Sequence, residues 1–163
     1  MDAALQAPIG IFDSGVGGLT VLHALREQLP AENLVYLGDT ARVPYGTKSP
    51  ESVQRYAAHA AGWLMQRDIK LLVVACNTAS AVALTTLRAQ LAPVPVIGVV
   101  EPGAAAAVAQ SKQQRHLVLA TEGTAARGAY TRAIRELDSD AVVEEMGCSM
   151  FVALAEEGWG DDL

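Results

Sequence analysis

The chain has 163 residues, enough for one domain or for one domain and part of a second. Hydrophobic residues make up 51% of it and charged residues 18%, a composition that excludes a disordered chain. The formal charge of −6, the scattered basic residues and the 5% of aromatic residues argue against nucleic acid as a ligand.

The N-terminus has no basic stretch followed by an apolar one, so no signal peptide is predicted. Apolar runs stay well below the roughly 20 residues of a membrane-spanning helix, so we expect no membrane contact and a cytoplasmic protein. The two cysteines, Cys76 and Cys148, are too few for a disulfide framework and fit a reducing compartment. Neither has a partner at ligand spacing, so no metal site is predicted.

Short apolar runs alternate with helical patterns along the chain. The predicted strands are residues 8–12, 33–37, 70–75, 94–100, 116–120 and 141–145. The predicted helices are residues 19–29, 49–68, 78–91, 102–110, 124–137 and one that starts at residue 151. Continuous apolar strands between helices predict an α/β fold, doubly wound, with a parallel sheet covered on both faces.

Two of the predicted helices carry further signals. Leu19, Leu22, Leu25 and Leu29 are expected on one buried face of the first helix. Ser49 is expected to cap the second helix, because proline and then Glu51 follow it in the first turn.

The chain divides most readily near residues 101–103. We expect a first α/β domain over residues 1–100 and the beginning of a second, incomplete α/β domain over residues 101–163. The closing residues GWGDDL directly follow the start of a helix, without a further strand, which suggests a fragment.

The first loop of chemical interest is IFDSGVGGLT, residues 11–20. Its glycines allow sharp turns that expose backbone N–H groups, and the N-terminus of the following helix suits an anion. The glycine spacing is wrong for a dinucleotide fingerprint, so a nucleotide-binding domain is the weakest alternative. Asp13 and Ser14 could also simply cap the helix.

The second segment is YLGDTARVPYGTKS, residues 36–49, in which the second strand ends at Gly38 and Asp39 and a loop follows. Loops of this length often contact ligands, and here Pro44, Tyr45 and Gly46 form its centre. A surface loop with a tight turn is the alternative.

The third segment is LLVVACNTASAVAL, residues 71–84, in which Cys76 lies between a strand and a helix. A helix N-terminus favours thiolate over thiol, and Asn77 and Thr78 can donate hydrogen bonds to an anion. A buried, inert cysteine is the alternative. The three histidines are expected within helices or at a strand start, away from the active edge, so a Cys–His pair is not predicted. A lone thiolate can remove a proton from carbon if the site stabilises the carbanion.

Taken together, these motifs resemble the glutamate racemases of the aspartate/glutamate racemase superfamily. The resemblance rests on IGIFDSGVGGLTVLHAL, YLGDTARVPYGTKS, VACNTASA and PVIGVVEPG, and extends to LATEGTAARGAY and GCSMFVALAEEGW. It implies interconversion of L- and D-glutamate by two cysteines without a cofactor, with D-glutamate supplied to peptidoglycan. It also implies a small-molecule substrate, and a homodimer is compatible with this interpretation.

The resemblance assigns roles to individual residues of this chain. Cys76 resembles the first base, Asp13 the carboxylate that assists it, and Glu156 an acidic residue near the second base. The positions that resemble substrate-binding residues are Asp13, Ser14, Pro44, Tyr45, Gly46, Asn77, Thr78, Thr121 and Thr124. The family's second cysteine lies in a Gly-Cys-Thr-His motif, which this sequence does not contain, and Cys148 is expected to be structural.

Two alternatives stay open at this point. The chain could be a catalytically silent module that binds glutamate or dimerises. It could also be a one-cysteine decarboxylase or isomerase acting on a small dicarboxylate. The missing second cysteine keeps both alternatives open, whereas the DSGVGG and PYG loops favour the glutamate enzymes.

Overall fold

The computed structural model describes residues 6–156, in which strands and helices alternate. The strands are β1 (Ile9–Asp13), β2 (Leu34–Gly38), β3 (Leu71–Val74), β4 (Val96–Gly98), β5 (Arg115–Ala120) and β6 (Val142–Gly147). The helices are α1 (Leu19–Gln28), α2 (Pro50–Met65), α3 (Asn77–Leu91), α4 (Val100–Gln110), α5 (Glu122–Ala125), α6 (Ala129–Leu137) and α7 (Ser149–Glu156). A short 3-10 helix, Tyr45–Thr47, lies between β2 and α2.

The strands form two parallel sheets. The first has the order β2-β1-β3-β4, and the second pairs β5 with β6. Parallel neighbours require a crossover, and a helix supplies each one. The prediction of an α/β fold with a parallel sheet is therefore confirmed.

Helices cover both faces of the first sheet. On one face, Phe12, Leu72 and Val74 pack against buried side chains of α2 and α3. On the other face, Ile9, Ile11 and Val73 pack against α1. Burial on both faces explains why the central strands are continuously apolar in sequence, and it makes the fold doubly wound.

The second sheet is covered on one face only within the described residues. Ile134 of α6 and Ala104 of α4 pack on the face that carries Val118 and Val143. The opposite face exposes Leu117 and Leu119 of β5, and Val142 and Met146 of β6. The division into domains at residues 100 and 101 stays a prediction, although α4 is the helix that leads from one sheet to the other.

Several predicted details of the elements need correction. The predicted strand 94–100 is shorter because α4 already begins at Val100, with Pro102 in its first turn. Proline is tolerated there because the N–H groups of a first turn have no partner within the helix. The single helix predicted over residues 124–137 is interrupted at Gly128, which has a left-handed φ of 57° and separates α5 from α6.

The helix ends differ in how well they were predicted. Ser49 caps α2 as expected, since its Oγ accepts a hydrogen bond from the Ser52 N–H over 3.3 Å. The expected apolar face of α1 is wrong at its ends, because Leu19 and Leu29 are exposed. Its contact with the sheet is made by Val21, Leu22 and Leu25 instead.

Candidate active site

The three predicted loops converge on one cavity of about 270 Å³. They follow the carboxyl ends of β1, β2 and β3, which is where open parallel sheets bind ligands. Segments from the second sheet complete the wall. The cavity is lined by Asp13, Ser14, Gly17, Gly18, Thr20, Val21, Val43, Pro44, Tyr45, Gly46, Ala75, Cys76, Asn77, Thr78, Val99, Thr121 and Val152.

Asp13 organises the glycine loop with its own carboxylate. Its Oδ2 accepts hydrogen bonds from the N–H groups of Gly15 and Gly18, each over 3.0 Å. Gly18 precedes α1, so the anion expected at this helix N-terminus is the buried side chain of Asp13 itself. A Cβ at position 18 would overlap Asp13, which is why glycine is needed there. The alternative of Asp13 as a helix-capping residue is thus supported, and it is compatible with a place in the cavity wall.

Tyr36 supports the same loop from β2. Its hydroxyl donates a hydrogen bond to the Gly15 carbonyl over 3.0 Å. Burial, followed by the charge of Asp13, raises the pKa of Tyr36 to about 12, so the phenol keeps its proton and stays a donor. Sequence analysis missed Tyr36, because its contact with the loop depends on the pairing of β1 with β2.

Cys76 lies at the start of α3 and is almost fully buried, with 5% of its surface exposed. Its Sγ donates a hydrogen bond to Ser14 Oγ over 3.3 Å and accepts one from the Ala79 N–H over 3.4 Å. Strand β3 therefore delivers the sulfur to the cavity wall beside the glycine loop. The arrangement joins a thiol from one loop to a hydroxyl from another, 62 residues apart in sequence.

The electrostatic environment of Cys76 differs from the one expected. Burial raises the pKa of the Cys76 thiol, although the hydrogen bonds with Ser14 and Ala79 act in the opposite direction. The negative charge of Asp13 adds to the rise. The N–H groups at the helix N-terminus do act toward the thiolate, as predicted, but desolvation outweighs them, so the pKa of Cys76 is raised overall.

Three threonine hydroxyls form a closed ring behind Cys76. Thr78 Oγ1 lies 3.0 Å from Thr121 Oγ1 and 3.1 Å from Thr124 Oγ1, and the last two oxygens are 3.0 Å apart. Each hydroxyl can donate one of these bonds and accept another. Thr78 and Thr121 line the cavity, whereas Thr124 is completely buried behind them. Thr124 was predicted to bind substrate, but its hydroxyl is engaged in the ring and does not reach the cavity.

The Pro44–Gly46 turn is held in place by a residue that the sequence analysis missed. Tyr45 is buried, and its hydroxyl donates a hydrogen bond to Asp39 Oδ2 over 2.6 Å. Arg42 forms an ion pair with the same carboxylate over 2.8 Å. A Cβ on Gly46 would overlap the side chain of Thr121. Glycine therefore lets this turn pack directly against Thr121, which follows strand β5 of the second sheet. An aspartate at a strand end was visible in the sequence, but its partners were not.

Asn77 projects from the first position of α3 and is exposed at the cavity. Its Oδ1 accepts a hydrogen bond from the Tyr130 hydroxyl over 2.6 Å. Tyr130 lies 53 residues further along the chain, and the sequence carries no signal that connects the two.

The other predicted residues lie outside this cluster. Glu156 is the last residue of α7, and its side chain lies outside the described part of the chain. Cys148 lines a neighbouring cavity of about 500 Å³ and not the cavity of Cys76. That neighbouring cavity is mainly apolar and is formed by Val16, Gly17, Thr20, Leu119, Ala120, Cys148, Phe151 and Val152.

Two kinds of feature are absent from the described residues. No group of three or more histidine, cysteine, aspartate or glutamate side chains there could hold a metal ion. Each described helix is also too short or too polar to cross a membrane.

Comparison with known proteins identifies the family. A family model described as Asp/Glu/Hydantoin racemase matches residues 9–162. A glutamate racemase of Geobacter metallireducens is 56% identical over 154 residues, which cover 94% of this chain and 57% of that protein. A glutamate racemase of Oceanobacillus iheyensis is 49% identical, with 94% and 56% covered.

Solved structures agree with the sequence comparisons. Glutamate racemase isoform RacE1 from Bacillus anthracis superimposes with a TM-score of 0.91 at 41% identity, covering 96% of this chain and 58% of that one. A Francisella tularensis glutamate racemase in complex with D-glutamate gives a TM-score of 0.87 at 38% identity, with 94% and 57% covered. This chain therefore spans a little under three fifths of the length of these relatives.

Proposed function

Because this chain belongs to the Asp/Glu/hydantoin racemase family, we propose that it forms the part of a glutamate racemase that supplies one of two proton-transferring thiols. The observation that carries the proposal is the position of Cys76. Its sulfur is buried in the cavity wall, donates a hydrogen bond to Ser14 Oγ and lies next to the Asp13 loop.

Glutamate suits the donors that face this cavity. Its described lining contains no lysine or arginine, so hydroxyl, amide and backbone N–H groups would bind the carboxylates. We infer that Ser14 and Asn77 contribute side-chain donors to the substrate. Thr78 and Thr121 would contribute theirs by turning a hydroxyl out of the threonine ring toward the cavity. Pro44, Tyr45 and Gly46 would form another part of the binding wall. The Asp13 carboxylate would attract the substrate ammonium group. Thr124 would act through the hydroxyl ring.

The proposed chemistry begins with deprotonation of Cys76, whose proton passes to solvent water as the substrate binds. The thiol is neutral at pH 7 because burial raises its pKa. A bound ammonium group close to the sulfur would favour the thiolate. The thiolate then forms an S–H bond with the α-proton while the Cα–H bond breaks. The electron pair moves into the α-carboxylate, whose negative charge the neighbouring donors stabilise.

Two outcomes of this intermediate are chemically distinct. Return of a proton from Cys76 restores the starting enantiomer. In D₂O, exchange of the Cys76 S–H with solvent before this return leaves deuterium at Cα. Delivery of a proton from the opposite face by a second acid gives the other enantiomer. We propose that the second acid is the cysteine of a Gly-Cys-Thr-His motif, which this sequence does not contain, with Glu156 near it. Cys148 lines a different cavity and is not assigned this role.

The remaining parts of the proposal concern the cell. The reaction would take place in the cytoplasm. D-glutamate made in this way would be incorporated into peptidoglycan and would thereby affect cell shape. No cofactor is required by the proposed steps, and a homodimer is the proposed assembly. A silent glutamate-binding module remains the second candidate, because burial favours the protonated form of the Cys76 thiol and so opposes its action as a base.

A ligand comparison tests the proposed substrate. L- and D-glutamate should each raise the melting temperature of this 163-residue chain, because a ligand that binds only the folded state stabilises it. Saturation at about 100 times Kd would add roughly 2.7 kcal/mol. Aspartate, one methylene shorter, serves as the matched control and should give a smaller shift. The absence of a shift with both glutamate enantiomers would overturn the proposal.

A further inference from the structure

Tyr130 links the second sheet to the residue next to Cys76. It belongs to α6, which packs on β5 and β6, yet its hydroxyl donates a hydrogen bond to Asn77 Oδ1 at the start of α3. The donor–acceptor distance of 2.6 Å lies within the ordinary range of O–H···O hydrogen bonds. Asn77 follows Cys76 directly and lines the same cavity. The contact therefore connects a helix outside the site to the rim of the site.

This hydrogen bond selects one orientation of the Asn77 amide. An asparagine side chain carries one oxygen acceptor and one NH₂ donor, and the two ends exchange places when the amide turns over. With Oδ1 occupied by Tyr130, the Nδ2 group is the end left available. In the described part of the chain, Asn77 Nδ2 donates no hydrogen bond. An available NH₂ at the cavity rim suits an anionic acceptor such as a carboxylate.

The position of the Tyr130 hydroxyl is itself closely defined. Gly103 of α4 lies against the ring, and a Cβ there would come within 3.0 Å of Cε1 and 3.1 Å of the hydroxyl oxygen. Burial, followed by the charge of Glu145, raises the pKa of Tyr130. The phenol therefore stays protonated and remains a donor at neutral pH.

We propose that Tyr130 is a positioning residue that turns the Asn77 amide so that Nδ2 faces the cavity and donates to a carboxylate of the substrate. The substrate part of this statement rests on the proposed function. Tyr130 acts only through Asn77 and does not itself contact the substrate. Tyr130 and Asn77 lie 53 residues apart, so the sequence motifs that contain them do not show that they are in contact.

Two variants separate positioning from packing. Tyr130→Phe removes the hydroxyl and keeps the ring. Gly103→Ala leaves Tyr130 intact, favours the helical conformation of α4, and crowds the phenol. Tyr56→Phe is the matched control, because the Tyr56 hydroxyl makes no hydrogen bond in the described part of the chain.

The experiment measures the Asn77 side-chain NH₂ signals by ¹⁵N–¹H NMR, assigned with Asn77→Ala, together with the Kd for glutamate by calorimetry. We expect Tyr130→Phe and Gly103→Ala to shift or broaden the Asn77 NH₂ pair. Tyr130→Phe should raise Kd about fivefold, the equivalent of one hydrogen bond, and Tyr56→Phe should change neither quantity. In an Asn77→Ala background, Tyr130→Phe should have no further effect on Kd.

Two results would overturn the inference. One is a pair of Asn77 NH₂ signals that is unchanged in Tyr130→Phe. The other is a Kd for glutamate that is the same in Tyr130→Phe as in a wild-type chain that binds glutamate. If the wild-type chain binds no glutamate, the proposed function fails. The Asn77 signals then still decide whether Tyr130 orients the amide.

Discussion

Two opposing effects act on the Cys76 sulfur. The start of α3 offers backbone N–H groups, of which Ala79 N–H reaches the sulfur over 3.4 Å, and these favour the thiolate. Burial disfavours any charge at the same place, and burial is the larger effect, so the pKa of Cys76 rises. A positively charged group near the sulfur would therefore be needed to favour the thiolate that the proposed base requires.

The raised pKa of Cys76 predicts a loss of stability in alkaline solution. An unfolded cysteine loses its proton near pH 8.5, whereas the folded thiol retains its proton to higher pH. The folded state then binds more protons, so this contribution to stability is complete below about pH 8.5 and is lost as the pH rises through the folded pKa. The free energy of unfolding from urea titrations at pH 7–9.5 should fall more steeply for wild type than for Cys76→Ser.

Cys148→Ser is the control for that comparison, because it removes the other thiol and leaves Cys76 in place. It should preserve the steep wild-type slope. Equal slopes for wild type and Cys76→Ser would contradict the buried-thiol account.

At the scale of elements, the loop between β2 and α2 depends on a buried charge. Asp39 is 6% exposed and accepts the Tyr45 hydroxyl and the Arg42 guanidinium, so the Pro44–Gly46 turn is tied to the end of β2. Burial, followed by the hydrogen bond with Asp39, raises the pKa of the Tyr45 phenol. The turn is therefore fixed in position before any ligand arrives.

Removing the Tyr45 hydroxyl tests this anchor. Tyr45→Phe should lower the free energy of unfolding by about 1.5–3 kcal/mol, because it removes a hydrogen bond to a buried carboxylate. Urea titration measures the change, and Tyr56→Phe is the control, expected to stay within about 0.5 kcal/mol of wild type. In an Asp39→Asn background, Tyr45→Phe should lower the free energy of unfolding by less than it does in the wild-type chain. If the two tyrosine variants lose equal stability, Asp39 does not anchor the turn.

The elements differ in how far the sequence predicts them. Strands β1 and β3 were predictable because burial on both faces makes them continuously apolar. The break between α5 and α6 was not, because a single glycine within a helical pattern is compatible with an unbroken helix. The exposed ends of α1 were missed because periodicity defines a face but not which part of it the sheet covers.

The candidate site follows the same distinction. Ser14, Tyr45 and Cys76 could be predicted because each lies in a loop after a strand, and parallel topology brings such loops together. Tyr36, Asp39 and Tyr130 could not, because each acts through a hydrogen bond that exists only in the assembled fold. The raised pKa of Cys76 was missed for the same reason, because the extent of its burial depends on the tertiary structure.

At the scale of the whole molecule, the site lies where the two sheets meet. The first sheet supplies Cys76 and the glycine loop, while Thr121 and Tyr130 come from segments next to the second sheet. Gly46 packs against Thr121, and the threonine ring joins α3 to α5. Geometry at the site therefore depends on how the second sheet is held.

The apolar face of the second sheet is open in the described residues. Leu117 is 59% exposed and Leu119 is 50% exposed, although parallel sheets are normally covered on both faces. This face adjoins the apolar cavity that Leu119 and Cys148 line, and that cavity shares Gly17, Thr20 and Val152 with the candidate site. An open wall admits water, which weakens the electrostatic stabilisation that a carbanion needs.

Exchange of the glutamate α-proton in D₂O, followed by ¹H NMR for each enantiomer separately, tests the central claim most directly. The account predicts that the 163-residue chain exchanges the α-proton of one enantiomer faster than that of the other. Cys76→Ser should abolish this exchange and Cys148→Ser should preserve it. Exchange that persists in Cys76→Ser, or that disappears in Cys148→Ser while the protein stays folded, would contradict the assignment of Cys76 as the base.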